Sequence, residues 1–187
     1  MCVRANARRR SCASAQPYPR YMKVFTLRRE QVLPGTPEDV FPFFADARNL
    51  EAITPPILKF EVVTPGEIEM RVGTLIQYRL TLRGVPINWL TSIQAWEPGV
   101  RFVDQQVRGP YALWHHTHEF APHADGTLMT DTVRYAIGFG FAGEIAARAF
   151  VHRDVAKIFD FRREAVLPAL GRLQGVEDEV HAGQVPG

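Results

Sequence analysis

The chain has 187 residues, 46% of them hydrophobic, with 22 basic residues against 20 acidic ones and a formal net charge of +2. That is enough chain to bury the core of one domain, and the near-neutral balance excludes a basic face for nucleic acid. No apolar run approaches the roughly twenty residues of a membrane span.

The two cysteines, Cys2 and Cys12, both fall in the N-terminal stretch, which rules out a disulfide framework or a cysteine metal site in the domain and fits a reducing cytoplasm. Arg4, Arg8, Arg9, Arg10 and Arg20 share that stretch with no acid beside them and no apolar centre of a secretory signal. Residues 1–21 are read as a disordered segment or a misassigned start, 22–172 as the domain, and 173–187 as a flexible tail.

The regular pattern begins after Met22. Lys23–Leu33 puts Phe25, Leu27 and Leu33 on one face, interrupted by Arg29 and Gln31, and predicts a first strand that Pro34-Gly35 ends. Thr36 then stands as a helix N-cap, with Pro37 at the first helical position, Glu38 and Asp39 in the first turn, and Val40, Phe43 and Phe44 on the buried side. A second short helix or turn is expected over Asp46–Thr54, stopped by Pro55-Pro56.

Extended runs follow. Ile57–Thr64 sets Leu58, Phe60 and Val62 on one face, and Thr74–Arg83 turns Ile76, Tyr78, Leu80 and Leu82 toward a core. In Ile87–Trp96 the residues Ile87, Trp89, Thr91 and Ile93 share a face, but Trp96 has the opposite parity, which a bulge near Gln94 would restore.

Arg101–Phe120 consists of two apolar runs hinged at Gly109-Pro110. Side chains alternate along a strand, so Trp114, His116, His118 and Phe120 share one face, and its aromatic ends mark it as buried. Two histidines therefore point where core residues are expected. Phe102, Asp104 and Gln106 form a second row of the same kind, and Met129, Asp131, Val133 and Tyr135 share a face of the last strand, Thr127–Ile137.

Gly138 and Gly140 mark a flexible exit from that strand. From Gly143 to Leu167 the apolar side Val151, Val155, Ile158, Phe159 and Val166 opposes Arg153, Asp154, Lys157, Asp160 and Arg163, predicting an amphipathic helix. At 1.5 Å per residue it is about 37 Å long, enough to cross a sheet. From Gly171 the tail reads as frayed.

This order is an α+β pattern, in which the helix and the sheet bury their apolar faces against each other. The stretches NLEAITPP (Asn49–Pro56), WLTSIQAWEP (Trp89–Pro98), FVDQQVRGPYALWHHTHEF (Phe102–Phe120), GTLMTDTVRY (Gly126–Tyr135) and KIFDFRRE (Lys157–Glu164) carry a further likeness. Through them the chain resembles the helix-grip proteins of the START, Bet v 1 and polyketide cyclase superfamily, abbreviated SRPBCC, and among them a bacterial ligand-binding branch. The resemblance implies a curved antiparallel sheet of about six or seven strands around a long C-terminal helix, with two short helices after the first strand. Members of that superfamily carry lipids, sterols, plant hormones or polyketides, and a minority catalyse cyclisation or dehydration.

On this reading a small, largely hydrophobic molecule binds between sheet and helix, without a cofactor, in a monomer or homodimer. Tyr78, Trp89, Thr91, Trp114, Tyr135 and Phe159 form the inner wall, and Asp104, Gln106, His116, His118 and Asp131 hold the ligand's polar end. Arg162, three residues beyond Phe159, reaches a ligand carboxylate at the cavity mouth. A rival reading makes His116, His118 and Asp131 acid–base groups of a cyclase or dehydratase. Two lesser readings are a metal held by His116 and His118 with Asp104 or Asp131, and a partner-binding module whose cavity its own side chains fill.

Overall fold

A computed structural model describes residues 23–138 and 150–182. Its seven strands are β1 (Phe25–Leu33), β2 (Glu61–Val62), β3 (Leu75–Leu82), β4 (Val85–Glu97), β5 (Arg101–Arg108), β6 (Leu113–His123) and β7 (Gly126–Ala136). All neighbours pair antiparallel in the order β1-β7-β6-β5-β4-β3-β2. From β2 onward each strand lies beside the next in sequence. The segment between β1 and β2 therefore carries the chain from one edge of the sheet to the other.

That crossing holds the short helices. Thr36 caps α1 (Pro37–Ala45) in a reciprocal box: its hydroxyl accepts from the Asp39 amide, and Asp39 Oδ2 accepts from the Thr36 amide at 2.8 Å. Asp46 then accepts from the Arg48 amide and opens a single 3-10 turn at Ala47–Leu50, shorter than the Asp46–Thr54 helix the sequence suggests. Val40, Phe41, Phe43 and Phe44 of α1 pack into a core with Leu33, Phe102, Phe120 and Met129 of the sheet.

The long helix α2 (His152–Ala182) lies on the inner face of the sheet, where Val155 and Phe159 meet Val133 and Tyr135. The expected end at Leu167 falls inside it, because Val166, Ala169 and Leu170 are buried against the α1 core. That burial outweighs the backbone hydrogen bond that Pro168 cannot make. Gly140, the predicted helix start at Gly143, residues 1–21 and the end of the predicted tail, 183–187, lie outside the described residues.

Three further features refine the sequence reading. The register of β4 against β5 shifts between Ile93 and Ala95, so the bulge stands at Gln94 and Trp96 turns inward to meet Phe41 at 5.2 Å. Arg29 and Gln31, the polar interruptions of β1, bind α2: Arg29 donates to Asp160 and Gln31 to the Arg163 carbonyl. The strand expected over Ile57–Thr64 shrinks to the two residues of β2, because Pro56–Leu58 winds into a 3-10 turn ended by Lys59 at φ 44. Among the described residues no helix is long and apolar enough to cross a membrane.

Candidate functional site

The register of three adjacent strands assembles the polar group. Asp104 on β5 stands opposite His116 on β6, and His118 on β6 stands opposite Asp131 on β7. Side chains on one face of neighbouring strands are within reach directly and diagonally. Each imidazole consequently touches both carboxylates. His116 Nε2 lies 2.9 Å from Asp131 and its Nδ1 3.4 Å from Asp104. His118 Nε2 lies 3.1 Å from Asp104, while its Nδ1 lies 2.8 Å from Asp131 without the alignment of a hydrogen bond.

This ring of four is shut in by aromatics. Phe102 stacks on His118 with centroids 4.0 Å apart, and Phe159 of α2 presents its edge to His116 at 5.3 Å. His116 and His118 are buried, and the Asp131 side chain is only 9% exposed, but that of Asp104 keeps 19%. Asp104 is thus the open corner of the ring.

Burial alone would disfavour every charge here, so the pairing decides the protonation. Burial pushes the His116 imidazole down, but hydrogen bonds and charge from Asp104 and Asp131 outweigh it and hold its pKa above the ordinary 6.5. Burial likewise pushes Asp104 and Asp131 up, and His116 and His118 overcome it, holding both carboxyls well below the ordinary 3.8. A group whose folded pKa is raised stabilises fully below its unfolded value and loses that contribution as pH rises through the folded one. A depressed carboxyl stabilises above its unfolded value and loses that contribution as pH falls through the folded one. The cluster's contribution to stability is therefore expected to be greatest between about pH 4 and about pH 6.5. Denaturant titrations from about pH 3 to about pH 9 check it, and stability that climbs steadily from pH 6 to pH 9 contradicts it.

Above the ring, between β3–β6, α1 and α2, lies a cavity of about 150 Å³. Nine of the residues expected at the site border it: Tyr78, Trp89, Thr91, Asp104, Trp114, His116, His118, Phe159 and Arg162. Three do not. Asp131 lies behind the two imidazoles and supports them, while Tyr135 turns its hydroxyl to His152. Gln106 turns away to bind the backbone of Tyr111 in both directions, donating to its carbonyl at 2.7 Å and accepting from its amide at 3.3 Å.

Gln106 thereby positions a residue that the sequence reading missed. Tyr111 borders the cavity and packs its ring 4.8 Å from Trp114 and 5.6 Å from Trp89. The signal was present as an aromatic directly after the Gly109-Pro110 turn, beside a strand end bearing an amide. Trp89 in turn donates from Nε1 to Thr91 Oγ1 at 3.0 Å, which satisfies both groups inside the wall.

Asp104, His116 and His118 offer three donor atoms within 4.8 Å of one another, a spacing that could hold a metal. Yet all four imidazole nitrogens already face a carboxylate. A nitrogen donating its proton to Asp has no lone pair left for a metal, so the geometry fits a hydrogen-bonded ring better than a ligand set.

Residues 33–161 match the family model described as polyketide cyclase / dehydrase and lipid transport. No curated protein matches the chain in sequence. Among solved structures, TTHA0849 from Thermus thermophilus is similar with a TM-score of 0.60 at 21% identity, over 79% of this chain and 98% of that one. The Zhui aromatase/cyclase from Streptomyces sp. R1128 gives 0.63 at 16%, over 80% and 95%. Ara h 8.0201 gives 0.57 at 16%, over 79% and 98%. At such identities the likeness is one of fold.

Proposed function

Since the chain belongs to the polyketide cyclase / dehydrase and lipid transport family, we propose that it binds one small, largely apolar molecule in the cavity between sheet and α2. The observation that carries this reading is the cavity itself: about 150 Å³ walled by aromatic side chains, with the His–Asp ring as a polar floor. An apolar cavity of about 150 Å³ holds a single benzene ring. The open corner at Asp104 then presents an acceptor edge of the ring to the bound molecule, and Asp131 keeps the imidazoles in place from behind.

A cyclase or dehydratase is the second reading, and one observation favours it: against the effect of burial, Asp104 and Asp131 hold the His116 pKa above its ordinary value in an apolar chamber, as suits a general acid. Its two ring nitrogens face Asp104 and Asp131, which suits a fixed scaffold better than a shuttle. A partner-docking module with a filled interior suits the open cavity least.

Native mass spectrometry separates these readings. The purified protein is expected to carry a hydrophobic adduct that is lost on unfolding, or to take up added indole. Failure to form any adduct contradicts binding. Replacing His116 and His118 by Gln leaves uptake in place if they orient the ligand, whereas turnover of a polyketide substrate collapses if they move protons.

A further inference from the structure

Arg162 is the single arginine or lysine that borders the cavity among the described residues. Its guanidinium lies 4.9 Å from the centre of the Phe159 ring, which holds it along the cavity side of α2. Its Nε is closed off from solvent and has no hydrogen-bond partner among the described residues. The neighbouring arginine on β1 differs: Arg29 is satisfied by Asp160. A shielded guanidinium N–H without an acceptor is costly to leave so, and such groups call for an explanation.

Tyr78 faces the same space. It is buried on β3, borders the cavity and makes no hydrogen bond among the described residues. Burial pushes its phenol far up, the charge of Asp104 adds to that and the charge of Arg162 opposes it, so the hydroxyl keeps its proton and remains a donor within reach of both charges. The inner wall therefore carries donors without an acceptor among the described residues, the Arg162 Nε beside the Tyr78 hydroxyl, whereas Trp89 is engaged with Thr91 and Asp104 with the imidazoles.

We propose that Arg162 and Tyr78 form the recognition pair for an anionic group, and that the ligand is a single-ring aromatic carboxylate. This rests on the ligand-binding reading above. The ring lies among Trp89, Trp114 and Phe159, and the carboxylate takes the donors that the protein leaves open. Guanidinium to carboxylate is the strongest pairing available to those donors, and it is geometrically selective.

The test titrates the protein with benzoate and with its neutral isostere benzamide at neutral pH, read by the fluorescence of Trp89 and Trp114. The native chain is expected to favour benzoate by about tenfold, the size of one charge-assisted hydrogen bond. In Arg162→Gln that preference falls to about unity, and Arg162→Lys, which keeps the charge, restores part of it. Thermal melts verify that each variant is folded. Should Arg162→Gln not fold, Tyr78→Phe serves instead and is expected to reduce the preference about threefold. Equal binding of the two probes to the native chain overturns the Arg162 assignment and leaves the cavity reading standing, as does a preference that survives both Arg162→Gln and Tyr78→Phe. Binding of neither probe overturns both readings.

Discussion

Asp131→Ala is expected to lower stability by about 3–5 kcal/mol in chemical denaturation at pH 6, among the largest losses for any single exchange in the sheet. Asp131 accepts from His116 at 2.9 Å and lies 2.8 Å from His118 Nδ1. Its removal leaves both imidazoles buried beside Phe102 and Phe159 with Asp104 as their one remaining carboxylate. The penalty is that of breaking a buried, mutually paired group by removing one partner rather than of one lost contact. Asp104→Ala is expected to cost less, because the Asp104 side chain is 19% exposed against 9% for Asp131, and water can replace part of what it supplies. A loss below about 1 kcal/mol for Asp131→Ala would mean that the ring is not held together by paired charge.

Phe159→Ala is the second large effect, again about 3–5 kcal/mol. Phe159 is 3% exposed and packs with Val133, Tyr135 and Val155 where α2 meets β7. It also borders the cavity, presents its edge to His116 and lies under Arg162. One exchange therefore removes core packing, uncovers the ring of four and enlarges the chamber. The variant is expected to accept naphthalene, a two-ring compound, better relative to benzene than the native chain does. Denaturation curves and the paired titration check both arms. Near-native stability with unchanged ligand size preference contradicts the placement of Phe159 between core and cavity.

Much of this arrangement could be read before any coordinates. The alternation in β6 places Trp114, His116, His118 and Phe120 inward because side-chain direction in a strand is a local property of the backbone. Trp96 betrayed the Gln94 bulge for the same reason: an aromatic on the wrong parity signals an extra residue. Partners are a different matter. Gln106 has the parity of Asp104, yet its amide reaches the Tyr111 backbone, a choice made by the turn that follows. Arg29 and Gln31 looked like faults in an apolar face until α2 supplied Asp160 and the Arg163 carbonyl, more than a hundred residues away. The run after Pro56 alternated well enough for a strand, but the left-handed turn at Lys59 broke it. Local pattern sets the face a residue takes, and tertiary contact sets what it does there.

The diagonal pairing of the ring was likewise out of reach of spacing alone. Two histidines and two aspartates were visible on inward faces, but their order depends on β5 and β7 flanking β6 in one register. That register turns four separate polar residues into a closed group with one open corner.

A crystal structure of the protein grown with benzoate tests the central claim most directly. Density is expected for one ring among Trp89, Trp114 and Phe159, above imidazoles that remain bridged by Asp104 and Asp131. An interior filled by its own side chains, or His116 and His118 turned out to solvent, contradicts it.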